Sequence, residues 1–186
     1  VGPLMVASVM TARNALLVQL ERLASHDHLT SVLNRRAFQQ QAQERLAEAG
    51  KQGRSVAALM FDIDKFKSVN DTHGHTIGDQ VISTFADVIR ASLRDSDLIG
   101  RLGGEEFGAL IVDCPRDQIF VVAERIRFAF ERATVQLPEG GYVSATVSIG
   151  TSFTDSAAIT LDRLFIAADG ALYQAKRDGR NRTRGG

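Results

Sequence analysis

The chain has little of several things that would mark a specialised class of protein. It contains one cysteine, Cys114, in 186 residues, so an internal disulfide is excluded and a reducing compartment is expected. Its 22 Lys and Arg residues balance 22 Asp and Glu residues, which argues against a basic surface for polymeric nucleic acid. No His or Cys spacing is typical of a zinc site. At 44% hydrophobic, the chain has the composition of one globular domain with a short extension.

The chain also lacks a hydrophobic run of membrane-spanning length. Val1–Met10 is apolar, but a bilayer requires roughly 20 such residues, and no basic segment precedes it as in a signal peptide. Together with the single cysteine, this predicts a cytoplasmic domain.

Residues 1–25 are predicted to form a signalling or linker helix. Between Leu4 and Leu23, apolar residues fall at heptad a and d positions, with Arg13 intruding at one a position. The apolar positions are Val6, Val9, Leu16, Leu20 and Leu23. Two interpretations stay open, a dimerising stalk and a helix packed on its own domain, and we favour the stalk.

A glycine turn places two adjacent acids between two apolar runs. Gly103–Phe107, with the sequence Gly-Gly-Glu-Glu-Phe, separates Leu98–Leu102 from Phe107–Val112. This pattern predicts a β-hairpin in which glycine supplies the positive φ of a two-residue turn. Glu105 and Glu106 would then lie at the tip, as carboxylates for a divalent cation or as a proton acceptor. A solvated turn without a function is the alternative for the hairpin alone.

A second acidic cluster follows the apolar run Val56–Phe61, which is typical of a buried strand. Asp62 and Asp64 would share a face if the strand continued, whereas only one would face a cation if a helix began after Ile63. In the second case Lys65–Lys67 forms the first helical turn and offers N–H groups and positive charge to phosphates.

These motifs together resemble the GGDEF family of diguanylate cyclases, in the variant that has Glu at the third motif position. The likeness covers nearly all of the chain beyond the first helix. It is carried by Asp27–Thr30, Asn34–Arg36, Asp62–Lys67, Asn70–Asp71, Gly74–His75, Gly78–Asp79, Gly103–Phe107 and Ala175–Asn181. Ser31 and Val32 depart from it, because the family usually has Gly and Leu there.

The resemblance implies an α+β, ferredoxin-like domain of the palm type, with a central antiparallel sheet flanked by helices. We expect this domain at residues 26–182, and a frayed tail at 183–186. The hydrophobic pattern places a turn at Gly74–Gly78. It predicts helices at about 34–49, 66–72, 79–93, 116–132 and 160–177, and strands at about 56–62, 98–102, 107–112 and 142–153.

The activity that the resemblance implies is condensation of two GTP molecules into cyclic di-GMP with release of pyrophosphate. Mg²⁺, with Mn²⁺ as an alternative, would be held by Asp62, Glu105 and the Ile63 carbonyl. Glu105 is also the family's proposed proton acceptor, although a metal-bound carboxylate is a poor base. Lys67 would offset charge at the transferring phosphate, and Glu106 would assist.

The remaining substrate contacts are also implied by the resemblance. The β- and γ-phosphates would contact Lys176, Arg180 and the N–H groups of Lys65 and Phe66. Asn70 and Asp79 would read the guanine edge, since a carboxylate accepts from two adjacent donors. His75 lies between them and either lines the pocket or shapes the turn.

Regulation is implied as well. Arg94 and Asp97 match the family's product-inhibition motif, with Arg125 as a possible third contact for cyclic di-GMP, and a surface ion pair is the alternative. The resemblance further implies a homodimer and an upstream sensory domain in a longer parent, whose anchoring in the inner membrane stays open. A receptor without activity and a cyclase for another nucleotide are the competing hypotheses.

Overall fold

The structure, a computed structural model, describes residues 13–20, 24–155 and 158–185. Residues 13–20 and 24–25 are helical, and the rest of the predicted N-terminal helix lies outside the described residues. Leu16 and Leu20 are 57% and 53% exposed, which argues against packing of this segment on its own domain. No helix within the described ranges is long and apolar enough to cross a membrane.

A central sheet of six strands, in the spatial order β1-β3-β4-β2-β7-β8, organises the domain. The inner pairs are antiparallel, and the outer pairs β1·β3 and β7·β8 are parallel. The predicted α+β class with a mainly antiparallel sheet is therefore confirmed. The strands are β1 (Leu33–Asn34), β2 (Val56–Ile63), β3 (Leu98–Arg101), β4 (Glu106–Val112), β7 (Val147–Thr154) and β8 (Thr183–Gly185), with β5 (Val135–Gln136) and β6 (Tyr142–Val143) in a separate pair.

Helices cover both faces of this sheet. Two of them begin at side-chain caps: Asn34 accepts a hydrogen bond from the Ala37 N–H, and Thr160 accepts one from the Arg163 N–H. The helices are α1 (Arg35–Lys51), α2 (Phe66–His73), α3 (His75–Ser92), α4 (Arg116–Arg132) and α5 (Leu161–Arg177).

Strand β2 is buried on both faces because its alternate side chains enter two different cores. Leu59 and Phe61 belong to the core under α3 and α4, whereas Val56 and Ala58 belong to the core under α1 and α5. This double burial explains the continuous apolar run in the sequence. It also fixes the end of β2, and therefore Asp62, in the middle of the sheet.

An aromatic cluster holds α3 and α4 on the sheet. The Phe85 ring packs against Phe61, Phe107 and Phe130, with centroid distances of 5.7, 5.2 and 4.6 Å. Phe61 and Phe107 are also direct partners across β2 and β4. The hairpin strand and the strand that carries Asp62 thus share one packed contact.

The predicted turn at Gly74–Gly78 and helix start at Asp79 are wrong. Gly74 alone, at φ 82°, separates α2 from α3, and α3 already begins at His75. Asp79 is therefore inside the helix and does not cap it. Glycine reaches this φ without a side-chain clash, so one residue suffices for the turn.

The predictions for two later segments also need correction. The strand expected at 142–153 is split into β6 and β7, because residues 144–146 leave the ladder. The frayed tail is wrong for Thr183–Gly185, which form β8 beside β7, and Thr183 is only 2% exposed. Ser31, where the family usually has Gly, has a left-handed φ of 59°, the region that glycine favours.

Candidate active site

Glu105 and Glu106, the two acids of the Gly-Gly-Glu-Glu-Phe segment, lie at the same end of the sheet as Asp62. Asp62 on β2 is the direct partner of Glu106 on β4. Beyond this pair, the Ile63 N–H donates to the Glu105 carbonyl at 3.3 Å. Glu105 is half-buried and Glu106 is exposed. The hairpin predicted from the sequence therefore exists and delivers its acids to the end of the central strand.

An arginine fixes the tip of this hairpin. The Arg101 guanidinium donates to the Gly104 carbonyl through Nε at 3.1 Å and Nη2 at 2.9 Å. Its Nη1 donates to both oxygens of Asp27 at 3.1 Å. Burial acts to raise the Asp27 pKa, but hydrogen bonds from Thr30 and the charge of Arg101 outweigh it and lower the pKa. Asp27 and Thr30, at the start of the domain, thus help Arg101 to hold the loop that carries Glu105.

The glycine pair has a different role from the predicted one. Residues 102–105 form a four-residue connection, and neither Gly103 nor Gly104 has a positive φ. A Cβ on Gly103 would lie 3.0 Å from the Glu106 Oε2, whereas a Cβ on Gly104 would meet open space. Gly103 therefore lets the Glu106 carboxylate lie close to the backbone, although this exposed side chain can turn away from a Cβ.

Asp62 is a buried carboxylate with one cationic partner. Its Oδ2 lies 2.7 Å from the Lys176 Nζ, and the Asp62 side chain is 12% exposed. Burial raises the Asp62 pKa, the Lys176 ammonium acts to lower it, and the nearby charges of Glu105 and Glu106 raise it further, so the net direction is upward. The free site therefore holds more negative charge than one ammonium offsets.

Asp64 belongs to the scaffold. Its carboxylate accepts from the hydroxyls of Thr146 at 2.7 Å and Ser148 at 2.6 Å, and from the Asn181 N–H at 3.0 Å. The chain turns at Lys65, which has a left-handed φ of 53°, and α2 begins at Phe66. Of the two alternatives, the structure has the helix after Ile63, and Asp62 is the aspartate that faces the hairpin acids.

A divalent cation fits the residues at this end of the sheet. Asp62 and Glu105 supply carboxylates, and the excess negative charge around Asp62 favours a hard cation with oxygen ligands. Among the described residues, no cluster of three or more His, Cys, Asp or Glu could hold a metal by itself. The third protein ligand would have to be a backbone oxygen, as expected for Ile63.

A cavity of 390 Å³ lies where the phosphate contacts were predicted. Lys65 and Arg180 line it, together with residues of α2 and of the 144–146 segment, whereas Phe66 and Lys176 do not. Arg180 follows α5, which ends at Arg177. Lys67 is exposed on the first turn of α2, and the Phe66 side chain is buried in the core.

The predicted guanine contacts lie on neighbouring helices. Asn70 on α2 lies directly against Gly78 on α3, because a Cβ on Gly78 would come within 1.9 Å of the Asn70 Oδ1. In the described part of the chain, that buried Oδ1 has no hydrogen-bond partner. Asp79, the next residue, and His75 are both exposed on the first turns of α3.

The predicted inhibitory residues gather at the end of α3. The Asp97 carboxylate accepts from the Arg94 N–H at 2.9 Å, and Arg125 Nη2 donates to the Ser92 carbonyl at 2.6 Å. Burial raises the Asp97 pKa. Arg94 also lines a 190 Å³ cavity with Arg45, Arg54 and the acids Glu48 and Asp113.

Sequence reasoning missed several residues that hold the site. Arg101 and Arg127 have no role in the sequence predictions, and Asp64 appears there only as a possible companion of Asp62 at a cation, although Arg101 and Asp64 contact the predicted acidic and phosphate-binding segments. Asn181 appears only within the range Ala175–Asn181 that carries the family likeness. The position of Asn181, directly after the predicted phosphate ligand Arg180, is the feature of the sequence that could have identified it.

The fold and the site together define a palm-type α+β domain with an acidic hairpin at the end of its central strand. The family model for the diguanylate cyclase GGDEF domain matches residues 24–182, and the chain belongs to this family.

Individual relatives agree with this membership. The chain is 42% identical over 163 residues to the probable diguanylate cyclase DgcT of Escherichia coli K12, covering 87% of this chain and 36% of that protein. It therefore spans about a third of this curated relative.

Solved structures are similar over more of their length. The coiled coil and GGDEF domain of DgcB from Caulobacter crescentus, in complex with cyclic di-GMP, has a TM-score of 0.90 at 32% identity, covering 98% of this chain and 95% of that one. The active GGEEF domain of a diguanylate cyclase from Vibrio cholerae has a TM-score of 0.75 at 30% identity, covering 82% and 96%.

Proposed function

We propose that this chain is a diguanylate cyclase module that condenses two GTP molecules into cyclic di-GMP and two pyrophosphates. The observation that carries the proposal is the meeting of Asp62 with the hairpin acids beside the Lys176 ammonium, at a site rich in negative charge. The related Vibrio domain, described as active, has the same Gly-Gly-Glu-Glu-Phe signature, which supports activity with Glu105.

The reaction forms two phosphodiester bonds. In each half, the 3′-hydroxyl oxygen of one GTP bonds to the α-phosphorus of the other, the bond from that phosphorus to the pyrophosphate oxygen breaks, and the hydroxyl proton is released. Mg²⁺ or Mn²⁺, when bound, would supply charge stabilisation for the phosphate oxygens. Asp62, Glu105 and the Ile63 carbonyl would hold the ion.

The protein's own groups would position the substrate. Lys67 is exposed and free to approach the transferring phosphate. Arg180 at the 390 Å³ cavity, and Lys176, which is paired with Asp62 and does not line that cavity, would bind the outer phosphates. Glu105 would accept the hydroxyl proton where the metal leaves it basic enough, with Glu106 as the neighbouring acid.

The base would lie against α2 and α3. The half-buried Asn70 side chain supports this placement, because it lies against Gly78, directly before Asp79, and an amide can both donate to and accept from guanine. Asp79 would accept from the adjacent donors of the guanine edge. His75 lies close enough in sequence to border the base.

Two copies must meet for the reaction, since each site holds one GTP and the product contains two symmetric links. We infer an isologous homodimer, which need only form transiently. The exposed apolar residues of the helix at 13–20 support a dimerising stalk that raises the effective concentration of paired domains under control of an upstream sensory domain.

The decisive experiment is incubation of the protein with GTP and Mg²⁺, and separately with ATP, followed by identification of products by mass. Cyclic di-GMP from GTP alone supports the proposal. Binding of GTP without product would favour a receptor, and a cyclic product from ATP would favour another nucleotidyl cyclase.

Asp79→Ala is expected to weaken GTP binding about tenfold or more and to reduce discrimination against ATP, since the guanine donors lose their acceptor. Binding of GTP and ATP by calorimetry measures both effects. Asp117→Ala, which removes an exposed carboxylate from the first turn of α4, is the matched control. Unchanged affinity and selectivity in Asp79→Ala would place the guanine pocket elsewhere.

We further propose that cyclic di-GMP binds at Arg94, Asp97 and Arg125. The 190 Å³ cavity supports an anionic ligand at this end of α3, because its three arginines, Arg45, Arg54 and Arg94, outnumber its two acids, Glu48 and Asp113. Such a ligand would cross-link two domains with their active sites apart. It would thereby favour the inactive arrangement of the two domains without changing either active site.

Arg94→Ala is therefore expected to remove inhibition by added cyclic di-GMP without lowering the initial rate. Initial rates at increasing product concentration measure this effect, and Arg132→Ala, an exposed arginine at the end of α4, is the control. Equal inhibition of Arg94→Ala and the unchanged protein would leave Arg94 as a surface residue only.

A further inference from the structure

The turn after α5 has an unusual backbone. Gly179, Arg180 and Asn181 have φ values of 114°, 63° and 45°. Left-handed φ is unfavourable for residues with a side chain, at about 1–2 kcal/mol each, so two consecutive examples need support from their surroundings. Arg180 is one of the residues proposed to bind the outer phosphates.

The support comes from Asn181, which is bonded on three sides. Its N–H donates to the Asp64 carboxylate at 3.0 Å, at the end of β2. Its Oδ1 accepts from Arg127 Nη1 at 2.8 Å, and its Nδ2 donates to Glu131 at 2.8 Å, both on α4. Asn181 therefore ties the turn to the end of β2 through its backbone N–H and to α4 through its side chain.

Arg127 is itself held in a fixed position. It is 7% exposed and donates to Glu124 through Nε at 3.0 Å and to Glu131 through Nη1 at 3.1 Å. Its guanidinium carbon lies 3.9 Å from the Phe128 ring centroid. Glu124 also accepts from the Thr183 hydroxyl at 2.7 Å, so the strand after the turn is tied to the same cluster.

The anchored turn borders the phosphate cavity. Asp64, Arg180 and Asn181 all line the 390 Å³ space, as does Lys65. A group that fixes the left-handed turn thereby fixes the direction from which Arg180 enters that space. Arg127 and Glu131 lie behind the turn and do not line the cavity.

We propose that Arg127 and Asn181 are positioning residues that hold Arg180 for the β- and γ-phosphates, and so make the site selective for a nucleoside triphosphate over a monophosphate. This inference rests on the proposed function. It predicts that loosening the anchor weakens binding of the outer phosphates and leaves binding of the base and α-phosphate unchanged.

The test compares two ligands of the intact chain in Mg²⁺: the α,β-methylene analogue of GTP, which cannot lose pyrophosphate, and GMP. Asn181→Gly keeps a residue that tolerates the left-handed φ but removes both side-chain links to α4. We expect its affinity for the analogue to fall about tenfold, while its affinity for GMP stays within about twofold. Arg127→Lys, which keeps the charge but loses the planar fork, should change in the same direction.

Two controls separate positioning from general damage. Arg184→Ala removes an exposed ion pair that flanks the turn, in which Arg184 on β8 lies 2.7 Å from Asp178, and should leave both affinities unchanged. In Arg180→Ala, adding Asn181→Gly should cause no further loss of analogue binding, because the anchor acts through Arg180.

The outcomes distinguish the two proposals. If the unchanged protein binds neither ligand, the proposed function fails. If it prefers the analogue over GMP, and Asn181→Gly keeps that preference or lowers both affinities equally, only the positioning inference is overturned. The same holds if the double variant loses clearly more than Arg180→Ala.

Discussion

Asp62→Asn is expected to lower cyclic di-GMP formation at least about a thousandfold while leaving the domain folded. The amide keeps the shape of the side chain but removes the charge that would hold a divalent cation beside Glu105. Glu105→Gln should have an effect of similar size. Turnover with GTP and Mg²⁺, monitored by product mass, measures both.

The stability of these variants provides the control. Burial, together with Glu105 and Glu106, raises the Asp62 pKa above its value in the unfolded chain despite Lys176, so ionisation of Asp62 favours the unfolded chain over the folded one. Replacing it by Asn should therefore not lower the thermal midpoint at pH 7, whereas Asp64→Asn, which disturbs three hydrogen bonds to Asp64, should lower it. Undiminished turnover of Asp62→Asn would refute the metal assignment.

Among replacements of a described glycine by alanine, Gly150→Ala is expected to lower the stability of the domain most. A Cβ at Gly150 on β7 would lie 2.0 Å from the Ala168 carbonyl oxygen and 2.3 Å from the Leu172 nitrogen. Both are backbone atoms of α5, so the helix must move away from the sheet. We expect a loss of about 3 kcal/mol, or a fall of roughly 6–12 °C in the midpoint of thermal unfolding.

Gly170→Ala is the matched control on the helix itself. A Cβ there meets nothing within 4 Å, and Gly170 is in the interior of α5. Alanine is favoured over glycine inside a helix by about 1 kcal/mol, so this variant should gain stability. A Gly150→Ala protein as stable as the unchanged one would mean that α5 packs less closely than described.

The sequence predicted the large elements well because their signals are local. The apolar run of β2, the hairpin strands and helix α4 are long and strongly patterned, and each was found within a few residues of its predicted position. The family likeness added the identity of the acids. Burial of β2 on both faces is what made its run continuous.

Features that depend on distant partners were not predictable. β8 has three residues and exists because β7 offers a free edge. The glycine pair was expected to supply positive φ, yet Gly103 instead leaves space for Glu106, which requires knowing where that side chain points. The choice between Asp62 and Asp64 depended on hydroxyls 82 and 84 residues away.

The ion pair between Asp62 and Lys176 couples the binding of the cation to the binding of the nucleotide. Under the proposed roles, a cation recruits Asp62 and a phosphate recruits Lys176, so either ligand alone must separate the same two charges, which lie 2.7 Å apart. When the cation and the phosphate both bind, the free energy of separating Asp62 from Lys176 is required only once. Each ligand should therefore tighten the other's binding by the same factor, and cation and nucleotide should bind cooperatively to a single copy of the chain.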